Sequence, residues 1–298
     1  MGPLNREVEV LVGPLPDWKG GGSAAIATRF FGDGTTDNLR IKFTVQKHCV
    51  STASPSTVTI YNLGKNLRNA LINAGAQVVV SAGWSNVGRR KLFTGGLLNA
   101  VSQREGADIA TTLSFLAGYG AKSRAVSSLA AASGKTLASV VFSLASNLPE
   151  ISVEKKRIIV APFVFGKQGW SFVGSTTDAL DKLARQYGFS WWVSNNQFYA
   201  CDDNSVIPGN VPVVTSKNGF LLRAEPILSS PYQQQAGVTI SSLFNPLIDV
   251  GRAISVESDL NPGITGTYKV HTLTHRGDTH SSSWETSLES YTYGLAGS

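Results

Sequence analysis

Apolar and polar residues alternate with a period of two over much of this chain, and that pattern predicts strands before anything else about it is considered. From Leu39 to Gln46 the alternation is unbroken: Leu39, Ile41, Phe43 and Val45 fall on one face, Arg40, Lys42, Thr44 and Gln46 on the other. After Pro55 it resumes from Thr57 to Tyr61 and stops at Asn62-Leu63-Gly64. Further strands are predicted over Glu7 to Val12, Gln77 to Trp84, Lys91 to Val101 and Ile109 to Ala117, with Gly95-Gly96 as a bulge in the third. Gly13 to Ser23, with Pro14-Leu15-Pro16 and Gly20-Gly21-Gly22, reads as a loop. Lys65 to Ala74 fits a short helix, apolar at Leu67, Ala70, Leu71 and Ala74 and capped by Gly75.

Near Gly118 the period lengthens. Leu137, Val140, Val141, Leu144 and Leu148 recur at helical spacing behind Thr136 as N-cap, and Pro149 stops the helix. A second helix is predicted from Thr177 to Tyr187, with Ala179, Leu180, Leu183, Ala184 and Tyr187 on one stripe, Ser175 or Thr177 as its cap and Gly188 at its end. Phe189 to Cys201 reads as a hairpin about Asn195-Asn196, residues that tolerate the positive φ of a tight turn. From Val211 strands return: Val238 to Phe244, Ala253 to Ser258, then Thr267 to His275 and His280 to Leu288, the last two joined through Arg276-Gly277-Asp278. Asn245-Pro246 and Asn261-Pro262-Gly263 are turns. The expected fold is mainly β with an α+β segment, divided as residues 1–120, 121–207 and 208–298.

Composition adds a class but no activity. The 298 residues are 42% hydrophobic and 15% charged, which suits packed domains and excludes a disordered tail or a disulfide scaffold. The net charge of +6 would suit nucleic acid if it were clustered, but only Arg89-Arg90-Lys91 and Lys155-Lys156-Arg157 stand out. Without interleaved aromatics, both read as solvated turns beside strands. Cys49 and Cys201 are expected as reduced, buried thiols of a protein made in a cytoplasm. The apolar stretch Val8 to Leu15 is too short and too broken for a secretory signal, and Met1 to Arg6 lacks the Ser or Thr of a myristoylation signal. Ser133-Gly134-Lys135 interrupts the Ala/Ser/Leu-rich residues 125–148, so no stable membrane insertion is expected.

Several strings imitate chemistry. Ser133-Gly134-Lys135-Thr136 resembles the end of a phosphate loop, but Leu129 stands where its first glycine belongs, which leaves a helix cap. His271, His275, Asp278 and His280 are near neighbours. With residues 276–279 as a loop, His275 faces His280 while His271 pairs near Trp284, about 13 Å away at about 3.3 Å per residue. No metal site follows. Arg276-Gly277-Asp278 is read as a turn, and His48-Cys49 cannot be a dyad because adjacent strand residues face apart. Trp191, Trp192 and Tyr199 could form a carbohydrate-stacking platform, although at least one of two adjacent strand tryptophans should enter a core. No catalytic, cofactor or metal residue is assigned, and an enzyme is not expected.

The order of segments resembles the central baseplate hub proteins of contractile-tailed bacteriophages, related to the hub part of type VI secretion spikes. In the first region the likeness rests on Ile41 to Val45, Ser56 to Gly64 with the helix after it, Val78 to Trp84 and Leu92 to Gly96. In the middle it rests on Ser133 to Leu137 with its helix, and on Ala179 to Ala184 followed by Tyr187 to Trp191. At the end come Ala236 to Ile240, Ser242 to Pro246, Gly266 to His271, His275 to Thr279 and Ser283 to Thr286. The loop at 13–23 departs from the pattern of a compact barrel edge.

The resemblance implies two tail-tube-like β-barrels flanking a small helical and hairpin domain, assembled as a homotrimer around a channel. Such a trimer adapts a six-fold tail tube to a three-fold central spike, because three copies of two similar barrels present six quasi-equivalent surfaces. The implied partners are the tail tube protein, the central spike protein, the surrounding baseplate wedge proteins and the tape measure protein. Genomic DNA would pass without specific binding, so the excess Lys and Arg should lie on outer and subunit-contact surfaces around a neutral or acidic channel. The place of action would be the virion baseplate after synthesis in the host cytoplasm, and the chain is too short for a fused lysozyme or β-helical needle. A β-rich carbohydrate-binding module or a cell-wall hydrolase is the alternative.

Overall fold

A computed structural model describes residues 5–14, 28–52, 55–71, 76–217, 219–227 and 236–294 of the chain. In its first third, the alternating segments form antiparallel strands β1 (Arg6–Pro14), β2 (Thr28–Gly32), β3 (Ile41–His48), β4 (Ser56–Tyr61), β5 (Ala76–Trp84), β6 (Gly88–Glu105) and β7 (Asp108–Leu116). Their sheet order is β3-β4-β7-β6-β5-β1-β2. Alternation decides which side chains turn inward: Ile41, Phe43 and Val45 of β3 are buried with Val58 and Ile60 of β4 and Val78 and Val80 of β5. Strand β3 starts two residues later than its pattern predicts, because the Leu39 N–H donates to the Phe31 carbonyl beside β2. The predicted strand limits otherwise shift by a few residues at most, apart from β6, which extends to Glu105.

Gly95 and Gly96 do not form the predicted bulge. They stay in register with Val78 and Gln77, and the irregularities of β6 fall at Leu92 and Leu98 instead. Gly95 serves close approach: a Cβ there would stand 2.6 Å from both the Leu116 carbonyl oxygen and the Phe93 ring. Helix α1 (Lys65–Ala70) is short, with Leu67 42% exposed and Leu71 buried at its C-cap. Its predicted continuation and Gly75 lie outside the described residues, as does the predicted loop beyond Pro14.

The middle third packs helices on two small sheets. Helix α2 (Tyr119–Arg124) and strand β8 (Val126–Ala131) precede α3 (Leu137–Ala145), β9 (Ile158–Ile159), β10 (Trp170–Ser175), α4 (Thr176–Tyr187), β11 (Phe189–Ser194) and β12 (Gln197–Asp202). β8 pairs with β10, and β11 with β12, which also takes β9 in parallel. The Thr136 side chain accepts from Ser139 N–H, Gly188 adopts φ 68°, and Asn195 and Asn196 adopt φ 53° and 58° at the hairpin, as the sequence predicts; Ser175 takes the N-cap position of α4, but its hydroxyl meets Thr177 Oγ1 rather than a backbone N–H. The stripes Leu137, Val140, Val141, Leu144 and Ala179, Leu180, Leu183 meet in one core with Trp191 and Phe198. α2, β8 and β10 were not predictable from period, since Val126 and Val173 are 73% and 79% exposed and break any clean alternation.

The last third contributes β13 (Val213–Thr215), β14 (Leu221–Ile227), β15 (Gly237–Leu243), β16 (Ala253–Glu257), β17 (Gly266–Asp278) and β18 (Trp284–Tyr291). β17 runs past the predicted turn. Arg276, Gly277 and Asp278 pair with Thr44, Phe43 and Lys42 of β3, so the Arg-Gly-Asp string is strand and the turn lies beyond it. The first half of β17 pairs with β16, and after a bulge at His271 the same edge pairs with β3. All the strands of the first and last thirds therefore join one 13-stranded sheet. Among the described residues the sheet is not closed, and its main path runs from β14 to β2.

Gly277 makes that junction possible, because an added Cβ would meet Phe43 at 2.4 Å and Trp284 at 2.6 Å. Replacing Gly277 with Ala is expected to cost about 1–3 kcal/mol by overpacking the rings, read as a lower midpoint in urea unfolding.

Candidate functional site

The structure disperses the strings that imitate chemistry. Gly134 and Thr136 form an ordinary helix entry. His275 lies opposite Thr286 and is fully buried, its Nδ1 2.9 Å from Thr286 Oγ1, whereas His280 sits in the following turn beside Thr279. His271 is the bulged residue of β17 and packs on Tyr291, away from Trp284. Among the described residues, no three His, Cys, Asp or Glu side chains are placed to hold a metal. Burial pushes both the Cys49 and Cys201 thiols up, so neither supplies a thiolate at neutral pH.

Trp191 and Trp192 each enter a core, and not the same one. Trp191 packs with Phe198 among the helices, while Trp192 stacks on Tyr199 at 5.5 Å within the core of the last third. With Trp191, Trp192 and Tyr199 exposed by 1%, 2% and 7%, they form no sugar platform. Of the basic runs, Arg89 pairs with Glu7, and Lys156 and Arg157 pair with Glu154; the second run is a turn of 3-10 helix before β9.

What converges instead is the junction of three hydrophobic cores. The first core includes Phe244 and Trp284 from the last third, and the third core includes Cys49 from the first third and Trp192, Tyr199 and Cys201 from the middle. Cations fasten these exchanges. Lys47 pairs with Asp249 at 2.9 Å, Arg40 with Asp278 at 2.8 Å, and Lys269 donates to the Asp202 carbonyl at 2.8 Å. Lys122 donates to the Ser51 carbonyl and lies 5.4 Å from the Trp191 ring. Burial lowers its pKa to about 8, opposed by the charge of Asp181. A small recess of about 20 Å³ among Lys47, His48, Lys122 and Ser194 has room for one water. None of these lysines was legible as functional in sequence, because each looks like an ordinary polar position of an alternating or turn segment.

At the junction, burial also holds three histidines neutral. His275 is driven down to about 3 by burial and then by the nearby Lys47 charge, with Asp249 and the Ile248 backbone opposing. His48 is lowered by burial against the Glu289 charge, and His271 by burial and then Lys269, with Asp203 and Glu289 opposing. The arrangement has the chemistry of a fixed joint between three cores.

The fold is shared with solved structures of tail and secretion-system proteins. Solved structures of the same fold include the tail protein from Neisseria meningitidis MC58, at 12% identity and TM-score 0.63 over 97% of each chain. The 43 kDa tail protein of prophage MuSo2 from Shewanella oneidensis matches at 10% identity and TM-score 0.58, over 95% of this chain and 96% of that one. The E. coli c3393 protein, a component of the type VI secretion system, matches at 11% and 0.58 over 86% and 74%. No curated protein matches the sequence directly. The family model described as baseplate hub gp41 matches residues 28–287, and the chain belongs to that family.

The buried His275 makes stability acid-sensitive. An unfolded histidine titrates near 6.5, so a folded pKa near 3 at His275 costs stability progressively as pH falls below about 6.5, by up to about 1.4 kcal/mol per pH unit. Denaturant midpoints should fall between pH 7.5 and 5, and His275→Gln should flatten that slope.

Proposed function

We propose that this baseplate hub family member is a structural trimer subunit that joins a six-fold tail tube to a three-fold spike around an axial channel. One observation carries the reading: a single strand, β17, binds β16 and then β3, so one chain holds two open half-sheets in a fixed relation. Three such chains supply six half-sheets, the number a six-fold tube needs. Each half-sheet faces its own core, which supports residues 1–120 and 208–298 as two barrel-like domains and 121–207 as the α+β domain between them. Open sheets offer unpaired backbone at their edges, and neighbouring copies would complete them.

The family and the fold neighbours support tail and spike components as partners; within a virion baseplate these would be the tail tube, the central spike, the wedge proteins and the tape measure. DNA passage fits the charge distribution, because Arg40, Lys47, Arg89, Lys122, Arg157 and Lys269 are engaged inside the chain by carboxylates or carbonyls. A sugar-binding reading loses its candidate residues to two cores.

The purified chain should sediment as a trimer, or become one on mixing with its spike. A chain that stays monomeric at tens of micromolar, alone and with tube and spike proteins, refutes the assembly. Trp192→Ala should lower stability by about 3–5 kcal/mol through the cavity it leaves, checked by urea unfolding.

A further inference from the structure

The first basic run has a second part that pairing with Glu7 does not explain. Arg90 and Lys91, at the start of β6, border an open cleft of about 370 Å³ with Arg252, which precedes β16. Pro246 and Leu247 line the same cleft, and Leu247 is 48% exposed. The Asp249 carboxylate is there too, but it is already engaged by Lys47 at 2.9 Å and by the Val250 N–H at 3.0 Å. The side chains of Arg90, Lys91 and Arg252 form no ion pair or hydrogen bond among the described residues. The cleft thus offers three free cations beside an apolar surface.

At the other end of β16 stands its complement. Glu257 closes the strand, and Asp259 and Leu260 follow it. All three are exposed, and Leu260, at 90%, is the most exposed large hydrophobic side chain among the described residues. Neither carboxylate forms an ion pair or hydrogen bond among the described residues. The prong is nevertheless held in shape: Asp259 N–H donates to Ser216 Oγ, Ser258 N–H to Thr265 Oγ1, and Asn261 N–H to the buried Ser258 Oγ. A preformed loop loses little entropy on docking.

We infer that the Glu257–Leu260 prong of one copy docks in the Arg90, Lys91 and Arg252 cleft of the next, with its acids on the cations and Leu260 on Leu247 and Pro246. This rests on the trimeric hub reading above. One chain cannot satisfy itself, since five residues of extended strand put prong and cleft about 16 Å apart. A contact between opposite ends of the same strand is head-to-tail, and such contacts close into rings when the rotation allows. Duplex DNA fits the cleft less well. A phosphate track needs cations repeated along a surface, whereas here they rim a pocket that also presents an apolar side chain and a carboxylate.

The test uses the full chain in three forms: Arg90→Glu with Lys91→Glu, Glu257→Lys with Asp259→Lys, and all four together. Sedimentation velocity at about 0.1 M salt reads assembly, circular dichroism checks folding, and a labelled DNA duplex probes the cleft. Each pair alone should weaken trimerisation by about tenfold or more, since like charges then meet. The fourfold variant should recover it, and wild type should weaken near 1 M salt, where the Debye length is about 3 Å. Loss in the cleft pair alone, with the prong pair unaffected, overturns the inference, as does a trimer indifferent to both. Duplex binding that only the cleft pair abolishes, with assembly unchanged, assigns the cleft to nucleic acid and also overturns it. A wild type that is monomeric with and without its tube and spike refutes the hub reading itself.

Discussion

The ladder between β3 and β17 holds the molecule together, because it is where the first and last thirds of the chain become one sheet. It runs from Thr272 opposite His48 to Asp278 opposite Lys42. Backbone hydrogen bonds set its register, but its persistence in water comes from what it encloses. Phe43 meets Phe244 at 6.0 Å and Trp284 at 5.5 Å, and Phe244 meets Trp284 at 4.8 Å. Fully burying one such side chain stabilises by about 1.5–3 kcal/mol, so separating the thirds would expose several kcal/mol of aromatic surface. The ion pairs Arg40 with Asp278 and Lys47 with Asp249 reinforce the same joint, and buried charges left without partners would oppose its opening.

A strand that changes partner along one edge needs a break in its register, and His271 provides it. The bulge leaves the His271 carbonyl to accept the Cys49 N–H, so the chain leaving β3 is tied to β17 at the point where β16 gives way to β3. The middle unit is fixed by a different device. Trp191 and Trp192 point to opposite faces of β11, and because both faces are covered, one strand belongs to two cores. Lys269 then reaches from β17 to the carbonyl at the end of β12. Three cores that exchange side chains resist sliding past one another better than three cores joined by linkers.

The β6–β7 hairpin extends beyond the core, with Leu98, Val101 and the residues to Ala107 largely exposed, and β2 and β14 end the main path of the sheet. Exposed apolar side chains such as Leu98, Val101, Leu222, Leu247 and Leu260 are spread over the surface rather than gathered in one patch. The enclosed groups, by contrast, are held neutral or paired.

What the sequence determined by itself was local. Alternation over Leu39 to Gln46 placed Ile41, Phe43 and Val45 in a core, Thr136 and Gly188 delimited helices, and Asn195-Asn196 turned a hairpin, because these depend on backbone geometry within a few residues. Segment order carried the family. Tertiary structure alone decided that Arg276-Gly277-Asp278 is strand, since a glycine between charges reads as a turn until β3 arrives to pair with it and Phe43 with Trp284 to forbid a side chain there. It alone decided that Trp191 and Trp192 serve two cores, and that the buried Lys47 and Lys269 and the half-buried Lys122 are ties rather than solvated charges. Period and composition report which face of an element seeks burial; they do not report which distant element covers it, and in this chain the covering element repeatedly comes from another third.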